Sequence, residues 1–456
     1  MAAVSAVPEA TKFGVHPAYE LFEPRTVYNQ TMNGHIESIY PETGLSENVS
    51  GPITFRLTGT SDYIDFNKSD LYLWGVFKGQ LPNPADGKLV DIADKTLGKN
   101  GPFFSWVNLL PHALFQAVEV AVNGTTITPS DPNYMYRAFF NAILNNNPAT
   151  QQIYMALSGW NKDQGTYDGI DPKQNRALEL RRQRANSDLE CFFTIDLATP
   201  LMQLQTLLIS ECDVTITLRR NTNPAFYMMH DTTAGRVEFQ IKEAILRVRK
   251  QTPWPEIISA HEKILAEKKP VTYILDDPRL IVTSIQAGET FIHREYATMG
   301  HHPKHILAAM VETEAYNGAA DKNPFNFQHF DVAKLTLTKN GMEYPTNPLT
   351  MDFKRGNYVE AYRHFLASLQ AVKSPFVPDV TLKDFANGVF IASWDMSPDQ
   401  YGGDDPQMLV SRTSNIKLSI EFSKQLPKPI TLLFYYQLES RLCINQSRQV
   451  THETVS

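Results

Sequence analysis

The sequence predicts an all-β fold: two tandem jelly-roll β-sandwiches with short helices in the loops. Short runs of β-branched and aromatic residues with a period of two recur along the chain, punctuated by Pro, Gly and Asn. One stretch, Val118 to Leu144, reads as a hairpin followed by a helix. That stretch then returns in the second half, so the chain carries an internal duplication.

The first copy is VEVAVNG, TTITP and DPNYMYRAFFNAIL. Val118, Val120 and Val122 alternate with Glu119 and Ala121, the pattern of a half-buried strand. Asn123-Gly124 suits the two positive φ angles of a type I′ turn, and Pro129 stops the return strand. Tyr136, Phe139, Phe140, Ile143 and Leu144 then form one apolar helical stripe. In the second copy Leu335 and Leu337 alternate with Thr336 and Thr338, Asn340-Gly341 turns, Pro345 ends the return, and NYVEAYRHFLASL supplies the helix. His112 and His329, Val118 and Leu335, and Asn123 and Asn340 all stand 217 residues apart. Tyr136-Arg137 and Tyr362-Arg363 stand 226 apart, so the second connection is longer.

At 456 residues the chain is long enough for two or three domains, each with its own core. Its 42% hydrophobic and 20% charged content describes a folded protein. A net charge of −7 argues against nonspecific nucleic-acid binding by the protein as a whole. Cys191, Cys212 and Cys443 are scattered and read as reduced thiols rather than a disulfide or zinc framework. No run approaches the roughly 20 apolar residues of a membrane helix. MAAVSAVPEATKFG lacks the features of a signal peptide, so synthesis in the cytosol is expected and the Asn-X-Ser/Thr triplets, such as that at Asn67, read as chance.

In chain order, residues 1–48 show no periodicity and read as an extended N-terminal arm. The first jelly roll is expected over 49–250. Its strands begin with ITFRLTG and DLYLWGVFKG, and Leu81 to Asn100 reads as a loop. After Leu144 a polar insertion, Asn145 to Asp188, exceeds any ordinary connection and should have structure of its own. Strands resume at CFFTIDL, DVTITLRR and VEFQIKEAILRVRK. A helical connector, 251–270, contains PWPEIISAHEKILAEKK. The second jelly roll, 271–440, restarts with VTYILDD, RLIVTSIQAG, TFIHREYA and HILAAMVE, and closes with GVFIASWDM, NIKLSIEF and ITLLFYYQLE. Val214, Ile216 and Leu218 match Ile416, Leu418 and Ile420, and Asp196 answers Asp395. Residues 441–456 read as a C-terminal arm.

Local motifs sharpen the assignment: DYIDFNKSDLYLWG from Asp62, NLLPHALFQAVEVAVNG from Asn108, NYMYRAFFNAIL from Asn133 and EAYNGAADKNPFNFQHFDV from Glu314. On these the chain resembles the double jelly-roll, hexon-like major capsid proteins of large icosahedral DNA viruses, and within them those of Polinton/Maverick elements and adintoviruses. The resemblance covers roughly residues 48 to 440, and NPFNF is its most specific piece. It implies a homotrimeric capsomer, a pseudo-hexagonal block that tiles a shell around double-stranded DNA. The implied partners are further copies of the chain, trimer to trimer, with penton and minor capsid proteins. The implied location is the virion, with assembly in the host cytoplasm or nucleus. No catalytic residue, cofactor or metal ligand is carried over.

The residues themselves offer few sites. There is no Gly-rich phosphate loop, HExxH or CxxC. His261-Glu262 reads as a helix-surface pair. His293, His301, His302 and His305 cluster in sequence, but a metal needs three or four converging ligands, and loop and sheet-edge histidines are the plainer reading. Lys173, Arg176, Arg181, Arg182 and Arg184 form the densest basic run. Facing a lumen it would suit packaged DNA; a solvated or subunit-contacting loop is the alternative. Tyr136-Arg137 and Tyr362-Arg363 read as packing residues where each helix meets its sandwich. Two other classes are compatible with twin sandwiches: a glycan-processing hydrolase and a carbohydrate-binding protein. The first wants acids converging in a cleft, whereas Asp196 and Asp395 stand one per domain. The second wants exposed Trp, whereas Trp74, Trp106, Trp160, Trp254 and Trp394 are scattered.

Asn145–Asp188, Ser374–Asn387 and Ser397–Ser414 are surplus to a sandwich and are expected to interlock neighbouring subunits or stand outward. The tip GWNKDQGTYDG suits exposure, and Tyr154, Met155 and Leu157 suit a subunit contact. The two arms are expected to tie trimers together or to the shell's inner surface.

Overall fold

The computed structural model describes residues 30–45, 51–95, 102–168, 170–230, 234–296, 302–369, 371–372, 377–397 and 414–454. Its strands in the first half are β1 (Thr31–Ile39), β2 (Ile53–Leu57), β3 (Tyr63–Pro82), β4 (Leu89–Asp91), β5 (Phe104–Trp106), β6 (Phe115–Val122), β7 (Thr125–Thr128), β8 (Glu190–Ile195), β9 (Val214–Arg220), β10 (Met228–His230) and β11 (Arg236–Pro253). After the helix Pro255–Ala266 come β12 (Val271–Ile285), β13 (Phe291–Tyr296), β14 (His305–Glu312), β15 (Val332–Lys339), β16 (Met342–Thr350), β17 (Ile391–Asp395), β18 (Ile416–Phe422), β19 (Ile430–Ile444) and β20 (Val450–Thr454). The helices are short, the longest being Pro255–Ala266 and Tyr134–Leu144.

The strands pair into two jelly rolls, each of two four-strand paths. In the first half, β8, β3, β11 and β1 lie side by side in one sheet and β2, β9, β6 and β7 in the other. In the second half the sheets run β12–β19–β14–β17 and β13–β18–β15–β16. Position for position, the two orders are the same. Strands before Pro253 and after Val271 share no sheet among the described residues.

The duplication holds to the register. Val118, Val120 and Val122 face Leu218, Ile216 and Val214, and Leu335 and Leu337 face Ile420 and Leu418. All are buried in the sandwich cores. Asn123 and Asn340 take φ of 47° and 50°, and the following Gly124 and Gly341 take 79° and 83°, as a type I′ turn demands. Each Asn also fastens its hairpin to the next strand. Asn123 Oδ1 accepts from the Asp213 N–H at 2.6 Å, and Asn340 Oδ1 from the Asn415 N–H at 2.9 Å, immediately before β9 and β18.

Several expectations change. Thr31–Ile39, expected in the arm, is β1, paired antiparallel with β11 along Thr31↔Pro253 to Ile39↔Leu246. Its residues are largely exposed on both faces, so no alternation marked it. Residues 1–29 lie outside the described part. The Leu81–Asn100 loop contains β4, paired to the end of β3. VTYILDD and RLIVTSIQAG are one strand that runs through Pro278, and Pro345 sits inside β16 instead of ending it. Both strands lie at sheet edges, where a missing N–H costs no ladder bond. Residues 441–454 do not leave the molecule as an arm: they complete β19 and form β20, which returns along it.

Candidate assembly interface

The part of the molecule richest in specific chemistry is the seam between the two jelly rolls. The helix Tyr134–Leu144 stands at its centre, with every residue but Asn141 buried. Its aromatic stripe turns toward the second roll. Phe139 stacks on Phe325 with ring centroids 4.1 Å apart, Tyr136 stacks on Tyr316 at 5.7 Å, and Phe140 meets Phe327 at 5.3 Å and Tyr435 at 5.8 Å. Such aromatic pairs add about 0.5–1.5 kcal/mol each beyond their buried area. Arg137 Nη1 donates to the Pro278 carbonyl of β12 at 3.2 Å and its Nε pairs with Asp131 at 3.5 Å. Tyr136-Arg137 therefore packs against the other sandwich, not its own.

The NPFNF segment is the second roll's side of the seam. Asn323 is fully buried, and Phe325 and Phe327 are the rings on which the helix rests. Beneath them lies the buried carboxylate of Asp163. Its Oδ1 accepts from Arg181 Nη2 and Asn175 Nδ2, both at 2.8 Å, and its Oδ2 from Asn108 Nδ2 at 3.0 Å and Asn323 Nδ2 at 3.4 Å. Four donors compensate the desolvation of this charge, which an isolated buried carboxylate could not bear. Two of the motifs, through Asn108 and Asn323, thus meet the long insertion on one carboxylate.

The long insertion supplies most of this hub. It carries its own helices, Pro148–Ile153 and Arg176–Arg182. Its tip, expected to be exposed, is clamped to the second roll. Lys162 Nζ reaches Asp379 Oδ1 and Asp384 Oδ2, each at 2.8 Å. Burial alone would lower the Lys162 pKa, but the two carboxylates more than offset it and hold it above the usual value. The Tyr167 ring lies where a Cβ on Gly388 would fall, 2.4 Å away, and Gly388 has φ of 92°. Only glycine meets both demands. Polar letters misled here because the charges in the tip are paired rather than solvated.

The basic run is consumed the same way. Arg181 is wholly buried on Asp163. The Arg182 guanidinium sits 4.0 Å from the Phe104 ring centre and that of Arg184 5.2 Å from Phe193. Lys173 and Arg176 alone of the five stay exposed. The run therefore presents no continuous cationic face.

The histidines do not converge. His293 on β13 meets Ser419 Oγ at 2.8 Å, His302 pairs with Lys339, and His305 at the start of β14 meets Ser393 Oγ at 2.9 Å. His301 lies outside the described residues. No group of three or more His, Cys, Asp or Glu able to hold a metal occurs among the described residues. His112 and His329 share the duplicated position with different partners. The Tyr134 hydroxyl oxygen accepts from the Ala198 N–H at 3.2 Å and lies 2.9 Å from His112 Nδ1. Burial pushes His112 down to about 4. His329 stacks on Phe353 at 3.7 Å and accepts the Asp331 N–H at Nδ1. Asp196 is held by the Tyr154 hydroxyl and Asp395 by Ser397, each at the end of its own strand.

The C-terminal segment is a second fastening. Arg448 Nε donates to the Ser210 carbonyl at 3.0 Å and its Nη2 meets Glu262 at 2.7 Å. Asn123 Nδ2, in the first hairpin turn, donates to the Arg448 carbonyl at 2.7 Å. Residues expected to reach other trimers instead lash the second roll to the first.

Outside the seam, large apolar side chains are exposed in the first roll beside β8: Ile153, Tyr154, Leu157 and Phe192 are between 48% and 77% exposed. Met155 of the same stretch is buried. The Ser397–Ser414 and Ser374–Asn387 segments fall mostly or in part outside the described residues. Among the described residues no helix is long and apolar enough to cross a membrane.

Comparison with known proteins agrees with this architecture. No family model matches the chain. An uncharacterised protein of Caenorhabditis elegans, F54H12.2, is 20% identical over 381 residues, covering 82% of this chain and 88% of that one. Among solved structures, a chain of the Sputnik virophage particle is 12% identical with a TM-score of 0.62, covering 99% of this chain and 94% of that one. The Faustovirus major capsid protein is 9% identical with a TM-score of 0.56, over 97% and 93%. The mavirus major capsid protein is 10% identical with a TM-score of 0.52, over 100% and 96%. At these identities the likeness establishes the fold, a double jelly roll from end to end.

Proposed function

We propose that this chain is the major capsid protein of a double-stranded DNA virus or virus-like element, acting as a homotrimeric, pseudo-hexagonal capsomer in an icosahedral shell. The observation that carries the reading is the doubled jelly roll with a buried, ion-paired seam. It makes two similar sandwiches one rigid block, which suits a tile. End-to-end likeness to virophage and Faustovirus capsid chains supports it. The Polinton/Maverick–adintovirus type is favoured by the NPFNF-bearing motifs and by a relative spanning most of the chain in a nematode. A relative of this chain among an animal's own proteins fits an element resident in animal genomes.

The chain is read as dividing into a first jelly roll reaching to about 250, a connector over 251–270 and a second roll from 271. Strand β1 belongs with the first. Its partners are further copies of itself, then penton and minor capsid proteins, and its place is the virion. Contact with packaged DNA through Arg176–Arg184 loses support, because most of that charge is engaged inside the fold. A structural role is favoured over catalysis, since Asp196 and Asp395 are each tied to their own neighbours.

Light scattering tests the reading. The purified chain should run at about 155 kDa, three copies of a 51.6 kDa chain in a closed ring. A stable single chain at micromolar concentration would refute it.

A further inference from the structure

The two jelly rolls treat one equivalent face in opposite ways. On the β12–β19–β14–β17 sheet, Phe434 turns inward and stacks on Tyr296 of the opposite sheet, so its neighbour Tyr435 points outward. That outward face is closed: Tyr435 is 9% exposed, and Leu307 and Leu433 beside it are buried. What closes it is the helix Tyr134–Leu144 of the first roll, through Phe140. On the corresponding sheet of the first roll the outward face is open. Trp74 pairs with Phe192 across β3 and β8 and stacks on it with centroids 6.1 Å apart; Tyr72 pairs with Ile245 across β3 and β11. Phe192 is 49% exposed and so is Tyr154, whose hydroxyl binds Asp196 at the end of β8.

The helices differ in the reciprocal sense. Tyr134–Leu144 is buried almost throughout, whereas in Val359–Ser368 only Ala361 and Phe365 are buried and Val359 is 57% exposed. Arg137 crosses the seam to the Pro278 carbonyl. Its counterpart Arg363 is exposed and makes no ion pair among the described residues. Glu243, opposite Trp74 on the open face, likewise makes none among the described residues.

From this we infer that the open face around Trp74 and Phe192 receives the helix Val359–Ser368 of a second copy of this chain, repeating between subunits the contact that Tyr134–Leu144 makes within one. The inference rests on the capsomer reading and specifies its interface. Every copy holds one free helix on its second roll and one open face on its first, so the contact is heterologous and propagates until the ring closes. The exposed side of the helix, Val359, Glu360, Arg363 and Ala367, offers small apolar groups to the aromatic area and an unpaired Arg to Glu243.

Two variants test it: Phe192→Asp, which spoils the open face, and Val359→Asp with Arg363→Glu, which spoils the helix. All three positions are exposed in the single chain, so the circular dichroism spectrum should be unchanged; Phe192→Ser replaces Phe192→Asp if that variant loses its signal. Each variant alone should fall from the parent mass to 51.6 kDa. Mixed one to one, they should form pairs of about 103 kDa and grow no further, since one intact helix meets one intact face. A Phe192 variant that keeps the mass of a trimeric parent overturns the inference while leaving the capsomer reading intact. So does a mixture that stays single. A parent chain that itself runs at 51.6 kDa overturns both.

Discussion

The first and second jelly rolls share a framework and differ at their surfaces. Strand order, hairpin register and the Asn clamp are common to both. The burial of the helix after the hairpin is not: ten residues of Tyr134–Leu144 are buried, against Ala361 and Phe365 in the other. Duplication fixes the core because β-pairing tolerates no slip of register. The surfaces diverge because the first helix packs across the seam on the second roll, whereas the second leaves Val359, Glu360 and Arg363 exposed.

The largest expected effect comes from breaking the seam on which that difference depends. Arg181→Met strands the Asp163 carboxylate in a dry site and should cost about 3–5 kcal/mol. Urea unfolding should then lose its single transition and show the rolls melting separately. One transition at the parent midpoint would show that the hub does not couple them.

Acid should act on both rolls, with one imidazole in each shifted furthest by burial. Burial holds His112 in the first and His305 in the second at about 4. Unfolded, both bind protons from about pH 6.5 downward. Their folded pKa is the lower, so the stability they contribute is full above pH 6.5 and is lost as pH falls toward 4. The urea midpoint should drop across that window, and His112→Gln and His305→Gln should each flatten part of the drop. A midpoint unchanged between pH 7 and 4.5 would contradict this.

The duplicated arginines give a sharper contrast. Arg137→Ala leaves Asp131 without its cation and the Pro278 carbonyl without its side-chain donor, and should cost about 1–3 kcal/mol. Arg363→Ala should change single-chain stability by less than about 0.5 kcal/mol. Equal costs would mean the two helices are used alike. A modest effect should be symmetric: Asn123→Ala and Asn340→Ala each remove a turn clamp and should each cost about 1 kcal/mol. Asn123 carries an added bond to the Arg448 carbonyl, so any asymmetry should fall on its side.

What the sequence disclosed follows from which signals are periodic. The hairpins, the 217-residue offset and the matching strands β9 and β18 were legible because buried alternation is written directly into residue type. Strand β1 was not, because TMNGHIESI is largely solvent-facing on both sides and carries no buried alternation. Pro278 and Pro345 read as stops because edge position is a property of the sheet, invisible in one strand. The seam was half legible. Its aromatic stripe stood out, but GWNKDQGTYDG and the Arg176–Arg184 run looked like solvated surface, since a buried ion pair such as Arg181–Asp163 and an exposed one use the same letters.

The central claim is that two similar sandwiches, rigidly joined, occupy alternate positions of one ring. Electron-microscopy class averages of the purified full chain test it most directly. The account predicts six-lobed, pseudo-hexagonal particles with threefold symmetry, built from three two-lobed chains; isolated two-lobed particles, or rings with another number of lobes, would contradict it.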